Sequence, residues 1–176
     1  VKFVPRFTAI NPDLVTFTTL AASPNFTNDQ EIYLGSRFHG VLHTKDFGKT
    51  WRLQRGVPLN HPITSIAVSP NYANDRTVFA ATRAGQVWRT QDGGDTFLRV
   101  GASSIVSIGW GGQRYTWVAV SPQFTTDNLV IAGTNNGIYR STDGGTTWTK
   151  ETHASVGSNA VVQQVEFSPN FDTDRN

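Results

Sequence analysis

Cysteine and methionine are both missing from the 176 residues. Without cysteine there is no disulfide, no thiolate zinc site and no cysteine nucleophile, although the absence selects no redox compartment by itself. Methionine is missing even at position 1, so the expectation is a chain that starts after processing or is a piece of something longer. Charge of one sign is scarce too. The formal net charge is +2, and the 11 Arg and 4 Lys are scattered, so a pI of 9.2 marks no nucleic-acid surface. No apolar run approaches the roughly 18 residues of a membrane span, and no charged-then-apolar leader opens the chain. Neither a nucleic-acid partner nor a transmembrane segment is expected. No helical period recurs over any useful window.

What is present is a repeat. With 38% hydrophobic and 11% aromatic residues the chain can bury a real core. "SPNFTND" at 23, "SPNYAND" at 69, "SPQFTTD" at 121 and "SPNFDTD" at 168 recur in steps of 46, 52 and 47 residues, the length of a propeller blade. Each repeat contains four short runs rich in β-branched and aromatic residues, as in "TSIAVSP", "TVFAATR", "QVWRTQ" and "TFLRVG", separated by Pro, Asn, Asp and Gly. Four strands per unit, stacked radially, describe a β-propeller. The expected architecture is all-β, a propeller segment of four-stranded antiparallel blades numbering about three and a half. Residues 1–15 are a lead-in and the possible end of a preceding blade. Blades follow at 16–62, 63–112 and 113–160, and 161–176 supplies the first strand of an incomplete fourth. A ring closes with roughly four to eight blades. The remaining blades are therefore expected from the same longer chain or from a second copy.

A second recurrence falls between the third and fourth strands. "TKDFGKTW" (44–51), "TQDGGDTF" (90–97) and "STDGGTTW" (141–148) share a hydroxyl residue, Asp, Gly and an aromatic: Thr44, Asp46, Gly48 and Trp51; Thr90, Asp92, Gly94 and Phe97; Ser141, Asp143, Gly145 and Trp148. An Asp two residues before a Gly accepts backbone N–H groups across a tight turn, and the Gly supplies φ > 0. The aromatic then enters the space between neighbouring sheets. These stretches resemble the Asp-box, or BNR repeat, of sialidase-like propellers. The wider pattern is similar to the propellers of xyloglucanases, sortilin-type receptors and photosystem II stability factors over nearly all of residues 16 to 174. The resemblance implies a fold and not an activity, because enzymes and non-enzymes share the box, which lies on the blade periphery away from the usual binding face.

Thirteen acidic residues divide into seven that recur and six that do not. Asp46, Asp92 and Asp143 in the boxes, and Asp29, Asp75, Asp127 and Asp174 after Ser-Pro, read as turn-holding. The "NDQ" and "NDR" segments lack the dense oxygen spacing of a calcium loop. The exceptions are Asp13, Glu31, Asp95, Glu151, Glu166 and Asp172. Glu166 is singled out as the weak catalytic candidate because Ala21, Ala67 and Ala119 hold its place in the other repeats, on the strand nearest a propeller's central channel. Its bland alternative is a side chain in a water-filled channel. No second carboxylate pairs with it as a glycosidase requires. Arg89, Arg140 and His43 occupy matching points and read as strand-surface residues rather than an arginine cluster. His39, His43, His61 and His153 form no metal set, and no metal or cofactor is expected. The longer connector before the third repeat carries "IGWGGQRYTW", whose Trp110, Arg114 and Tyr115 are the binding candidates, since aromatic faces and Arg suit sugar rings or protein surfaces. "NFT" at 25–27 matches a glycosylation acceptor, but the turn explains it better.

The resulting expectation is a non-catalytic scaffold or binding module for a protein or polysaccharide partner. Family habit places it in an extracellular or cell-envelope setting. The alternative is part of a xyloglucanase-like glycoside hydrolase with catalytic carboxylates outside this segment or on connectors. A third reading, suggested by the resemblance alone, is an assembly factor docking on a membrane complex.

Overall fold

Twelve strands, β1 to β12, form three separate four-stranded antiparallel sheets in a computed structural model that describes residues 16–101, 116–152, 160–168 and 170–174, the side chains of Asp172 and Asp174 excepted. The first sheet holds β1 (Phe17–Ala22), β2 (Ile32–Ser36), β3 (Val41–Thr44) and β4 (Arg52–Leu53). The second holds β5 (Ile63–Val68), β6 (Val78–Thr82), β7 (Val87–Thr90) and β8 (Leu98–Val100). The third holds β9 (Thr116–Val120), β10 (Val130–Thr134), β11 (Gly137–Ser141) and β12 (Thr149–Lys150). Within each sheet the spatial order follows the sequence order. The all-β reading with four strands per repeat is what the chain builds, as partial propeller blades.

The Ser-Pro segments differ from the expected plain turns. Each forms a single helical turn: α1 (Phe26–Asp29), α2 (Tyr72–Asp75), α3 (Phe124–Asp127) and α4 (Phe171–Asp174). Four residues are too few to show a 3.6-residue period, so hydrophobic patterning was silent. The turn is held by the recurrent pair itself. Ser23 Oγ donates to Asp29 Oδ2 at 2.5 Å, and the other carboxylate oxygen of Asp29 accepts the Glu31 N–H at 3.0 Å. Ser69 with Asp75, and Ser121 with Asp127, repeat the arrangement. Gln30, Arg76 and Asn128 end these turns in the left-handed region, with φ of 55, 53 and 49°, a conformation that side chains with a Cβ resist. Their carbonyls accept the N–H of Phe47, Gly93 and Gly144 respectively. The two recurrent sequence signatures thus meet at one end of every sheet, and the β2–β3, β6–β7 and β10–β11 hairpins lie at the other.

Two apolar joints hold the sheets face to face, and β6 shows how alternation serves both. Val78 and Ala80 point toward the first sheet, packing with Tyr33, Val41, Val57, Ile63, Ile66, Tyr72 and Phe97. Phe79 and Ala81 point the other way, packing with Val118, Phe124, Val130, Ala132, Tyr139 and Trp148. With both faces covered, every residue of β6 is buried. The first strands of adjacent sheets stand side by side. Thr18 Oγ1 donates to the Ile63 carbonyl at 2.6 Å, Thr64 Oγ1 donates to that of Thr116, and Ser65 Oγ donates to that of Val118 at 3.2 Å.

Residues 160–168 follow the third sheet as an extended segment outside any strand. The Gly137 N–H donates to the Ala160 carbonyl at 2.8 Å and the Val162 N–H to that of Thr134 at 2.9 Å. Gly133 leaves the room that Val162 and Val165 fill, since a Cβ there would sit 2.5 Å from a Val162 methyl.

Candidate functional site

In each eight-residue turn the carboxylate is engaged locally. Thr44 Oγ1 donates to Asp46 Oδ1 at 2.7 Å, the Thr50 N–H donates to the same oxygen at 2.8 Å, and Thr50 Oγ1 donates to Oδ2 at 2.6 Å. The Thr50 hydroxyl and N–H bring the Asp46 carboxyl down to about 2. Asp92 and Asp143 accept the matching bonds from Thr90 and Thr96, and from Ser141 and Thr147. Burial opposes their ionisation, yet these donors keep both below the ordinary range. Gly48, Gly94 and Gly145 close the turns with φ of 86, 95 and 88°, and their N–H groups donate to Thr44, Thr90 and Ser141. The following aromatic packs toward the preceding sheet. Phe97 and Trp148 are buried in the two joints, whereas Trp51 is half-buried against Leu34 and Leu42 on the outer face of the first sheet.

Glu31, which the sequence marked only as one of six non-recurring acids, lies inside a joint. It is 5% exposed between the first two sheets, and its carboxylate accepts from three side chains. Arg76 Nη2 donates to its two oxygens at 2.8 and 3.0 Å, the Tyr72 hydroxyl donates to Oε2, and His43 Nε2 lies 2.9 Å from Oε2. Tyr33 stacks on His43 with ring centroids 4.1 Å apart, and its hydroxyl donates to the Gly93 carbonyl at 2.7 Å. The Arg76 guanidinium lies 4.2 Å over the Tyr72 ring. Burial resists ionisation of Glu31, but the Tyr72 hydroxyl and Arg76 guanidinium hold its carboxyl below the usual range. Burial pushes His43 down to about 4, so it is the neutral ring whose Nε2–H donates to Glu31. Burial also raises the Tyr33 and Tyr72 hydroxyls.

His43 is therefore not the strand-surface residue expected from its alignment with Arg89 and Arg140. Arg89 is half-buried and its Nη1 donates to the Gly144 carbonyl at 2.6 Å, across the second joint. Arg140 alone of the three sits at the surface, where it pairs with Glu151. The Glu31 group was detectable only as a departure: Thr77 and Leu129 hold the matching place in the other repeats.

Glu166 is exposed on the 160–168 segment, where Gln164 Nε2 donates to it. Trp110, Arg114 and Tyr115 lie outside the described residues, as do Asp13 and His153. His39 lies against Ser36 and His61 against Gln86. Among the described residues no three histidine or acidic side chains converge as metal ligands, and no helix is long and apolar enough to cross a membrane.

At the hairpin end, a cleft of about 490 Å³ opens between the first two sheets and reaches the third. Arg37 and Arg83 line it from equivalent places in the β2–β3 and β6–β7 hairpins, with Thr18, Pro62, Ile63 and Trp117 among the other lining residues. Among the described residues no acidic side chain lines it. Two further clefts at the opposite end contain Asp75, Asp92 and Asp143, carboxylates already engaged by the turns.

No family model matches the chain, and no curated protein matches it either. Solved structures do resemble it in fold. An ancestral GH74 enzyme superimposes with a TM-score of 0.58 at 24% identity, over 80% of this chain and 19% of its own. A GH74 xyloglucanase from Xanthomonas campestris gives 0.58 at 19% identity, over 76% and 21%. YCF48 bound to D1 peptide gives 0.55 at 16% identity, over 77% and 40%. This chain spans about a fifth of the two GH74 proteins and two fifths of YCF48, and at these identities the likeness is one of fold.

Proposed function

We propose that the chain is a segment of an Asp-box β-propeller acting as a non-catalytic scaffold or binding module for a protein or polysaccharide partner, in an extracellular or cell-envelope setting. The observation that carries this reading is the occupation of its carboxylates. Asp29, Asp46, Asp75, Asp92, Asp127 and Asp143 each accept turn donors, and Glu31 is enclosed by Arg76, Tyr72 and His43. Among the described residues the cleft at the hairpin end has cations, threonines and an indole but no acid that could move a proton. A fold shared with YCF48, whose structure carries a D1 peptide, supports a binding role. In this reading residues 161–176 open a fourth blade, since a helical turn follows the first strand of all three sheets and α4 follows residues 160–168. The remaining blades come from the same longer chain or from a second copy.

A second reading has one observation behind it, the fold shared with two GH74 enzymes. It makes the chain part of a xyloglucanase-like hydrolase with its acids on connectors or outside this segment. Incubating the intact protein with β-glucans separates the two. The scaffold reading expects no new reducing ends, whereas turnover abolished by Glu166→Gln would overturn it.

A further inference from the structure

We infer that the cleft between the second and third sheets, at the Ser-Pro end of their joint, binds a glutamate side chain of a protein partner, with Arg89 as its counter-ion. The inference deepens the reading of the chain as a binding module and rests on it.

The site emerges from a difference between two equivalent joints. Counted from the Ser of each Ser-Pro, Thr77 stands where Glu31 does, Phe124 where Tyr72 does and Asn128 where Arg76 does. Thr77 keeps the backbone bond of Glu31: its N–H donates to Asp75 Oδ1 at 2.8 Å, as that of Glu31 donates to Asp29 Oδ1 at 3.0 Å. In the first joint Arg76 packs beside Gly93, where a Cβ would lie 2.6 Å from its Nη2, and pairs with Glu31 at 2.8 Å. In the second, Arg89 Nη1 takes the corresponding place beside Gly144, 3.4 Å from where a Cβ would lie. A guanidinium is thus present in both joints and its carboxylate in one. Half-buried Arg89 uses one donor on the Gly144 carbonyl, and among the described residues no carboxylate pairs with it. Thr77 is shorter than the glutamate whose place it holds, and it lines a cleft of about 400 Å³ together with Arg89 and Asn128. The planar fork of donors on an arginine matches a carboxylate, and such charge-assisted bonds are the stronger kind.

The rest of the lining selects what carries that carboxylate. Phe124 is buried, so the cleft presents no open ring face on which a sugar could stack. Asn71, Gln91 and Asn128 bring side-chain amides, which both donate and accept as a peptide backbone requires. Asp75 and Asp143 also line the cleft, but their oxygens accept from Ser69 and the Thr77 N–H, and from Ser141 and Thr147. Their counterparts Asp29 and Asp92 are held in the same way, and the Glu31 carboxylate nonetheless stays ionised beside Arg76. Glutamate is also the acid this chain itself uses for the equivalent pairing.

The test is isothermal titration of the intact chain at low salt with hexaglutamate, hexaglutamine and hexagalacturonate, beside a stability measurement that needs no ligand. Hexaglutamate should bind, and hexaglutamine at least tenfold more weakly. Arg89→Gln, shown to be folded by circular dichroism, should weaken hexaglutamate at least tenfold, whereas Arg52→Gln, an exposed charge on the first sheet, should leave it unchanged. Thr77→Glu supplies the carboxylate from within the chain. It should abolish hexaglutamate binding, and adding Arg89→Gln should lower its urea midpoint by more than Arg89→Gln lowers that of the parent. The proposal is overturned if hexaglutamate does not bind, if hexaglutamine or hexagalacturonate binds as tightly, if Thr77→Glu unfolds the chain or if it draws no support from Arg89. Hexaglutamate binding that survives Arg89→Gln would overturn this site and leave the binding-module reading standing. Binding of none of the three, with turnover of β-glucans, would overturn both.

Discussion

Tyr33 and Tyr72 meet edge to face across the first joint with ring centroids 6.0 Å apart, the same separation at which Phe79 and Phe124 meet across the second. The two joints share one aromatic geometry and differ in polarity. Glu31, His43 and Arg76 surround the tyrosines, while the matching places of the second joint hold Thr77, Arg89 and Asn128. Removing one member of a buried charged group leaves its partners uncompensated, whereas replacing the whole group by a well-packed alternative is often neutral or stabilising. Glu31→Ala should therefore cost about 3 kcal/mol. Joint exchange through Glu31→Thr, Tyr33→Phe, His43→Arg, Tyr72→Phe and Arg76→Asn together should cost distinctly less. Urea denaturation of the two variants beside the parent checks the order; an exchange costlier than Glu31→Ala would show that the polar joint is the better packed one.

Acid should loosen this joint before the other. His43 is held neutral with its pKa moved from 6.5 to about 4, so the unfolded chain binds more protons between those values. Its contribution is fully present above about pH 6.5 and is lost as the pH falls through about 4. Glu31, held below its ordinary 4.5, acts in the same direction at the lower end of that range. From neutrality to pH 4 the His43 linkage amounts to at most roughly 3 kcal/mol. Thermal melts across pH 4 to 7.5 should show a slope that His43→Gln flattens. An unchanged slope in that variant would place the titrating group elsewhere.

What could be read from the amino-acid order follows the range of the interactions. Asp46 is held by Thr44 and Thr50, and Asp29 by Ser23 and the N–H of Glu31, all within six residues. Spacing alone therefore carries such turns, and the repeat carries the four-stranded sheets. The single helical turns escaped because four residues hold too little pattern. The Glu31 group escaped because Tyr72 and Arg76 lie 41 and 45 residues away. Nothing near Glu31 in the chain announces them. The cleft combines Arg37, Arg83 and Trp117 from three repeats, each unremarkable in its own strand or hairpin, so only sheet packing reveals them as neighbours.

The three turn aromatics occupy equivalent positions but unequal surroundings. Phe97 and Trp148 fill closed joints, and Trp148 Nε1 also donates to the Gly145 carbonyl at 2.8 Å. Trp51 packs against Leu34 and Leu42 with part of its surface in water. Truncation of a buried aromatic typically costs about 3–5 kcal/mol, so Trp148→Ala should fall in that range. Trp51→Ala should cost less than half as much, and Asp143→Ala, which strands a few turn donors, about 1 kcal/mol. Chemical denaturation of the three variants checks the ranking. Equal losses for Trp51 and Trp148 in this chain would mean that the outer face of the first sheet is covered in solution.

Thr116 gives the sharpest test of the contact between first strands. Thr18, Thr64 and Thr116 each stand five residues before the Ser of a Ser-Pro. The first two donate to carbonyls of the next first strand, Ile63 and Thr116. Thr116 is fully buried, yet its Oγ1 finds no partner among the described residues, and the 160–168 segment bonds instead to Thr134 and Gly137. A buried hydroxyl without a partner costs roughly 1–3 kcal/mol, whereas a bonded one contributes about 1. Thr64→Val should thus destabilise by about 1 kcal/mol, and Thr116→Val, which keeps the shape and removes the orphan, should be neutral or stabilising. Both variants can be compared with the parent by urea denaturation. Equal destabilisation would show that in solution the Thr116 hydroxyl does find an acceptor, which the next first strand is placed to provide.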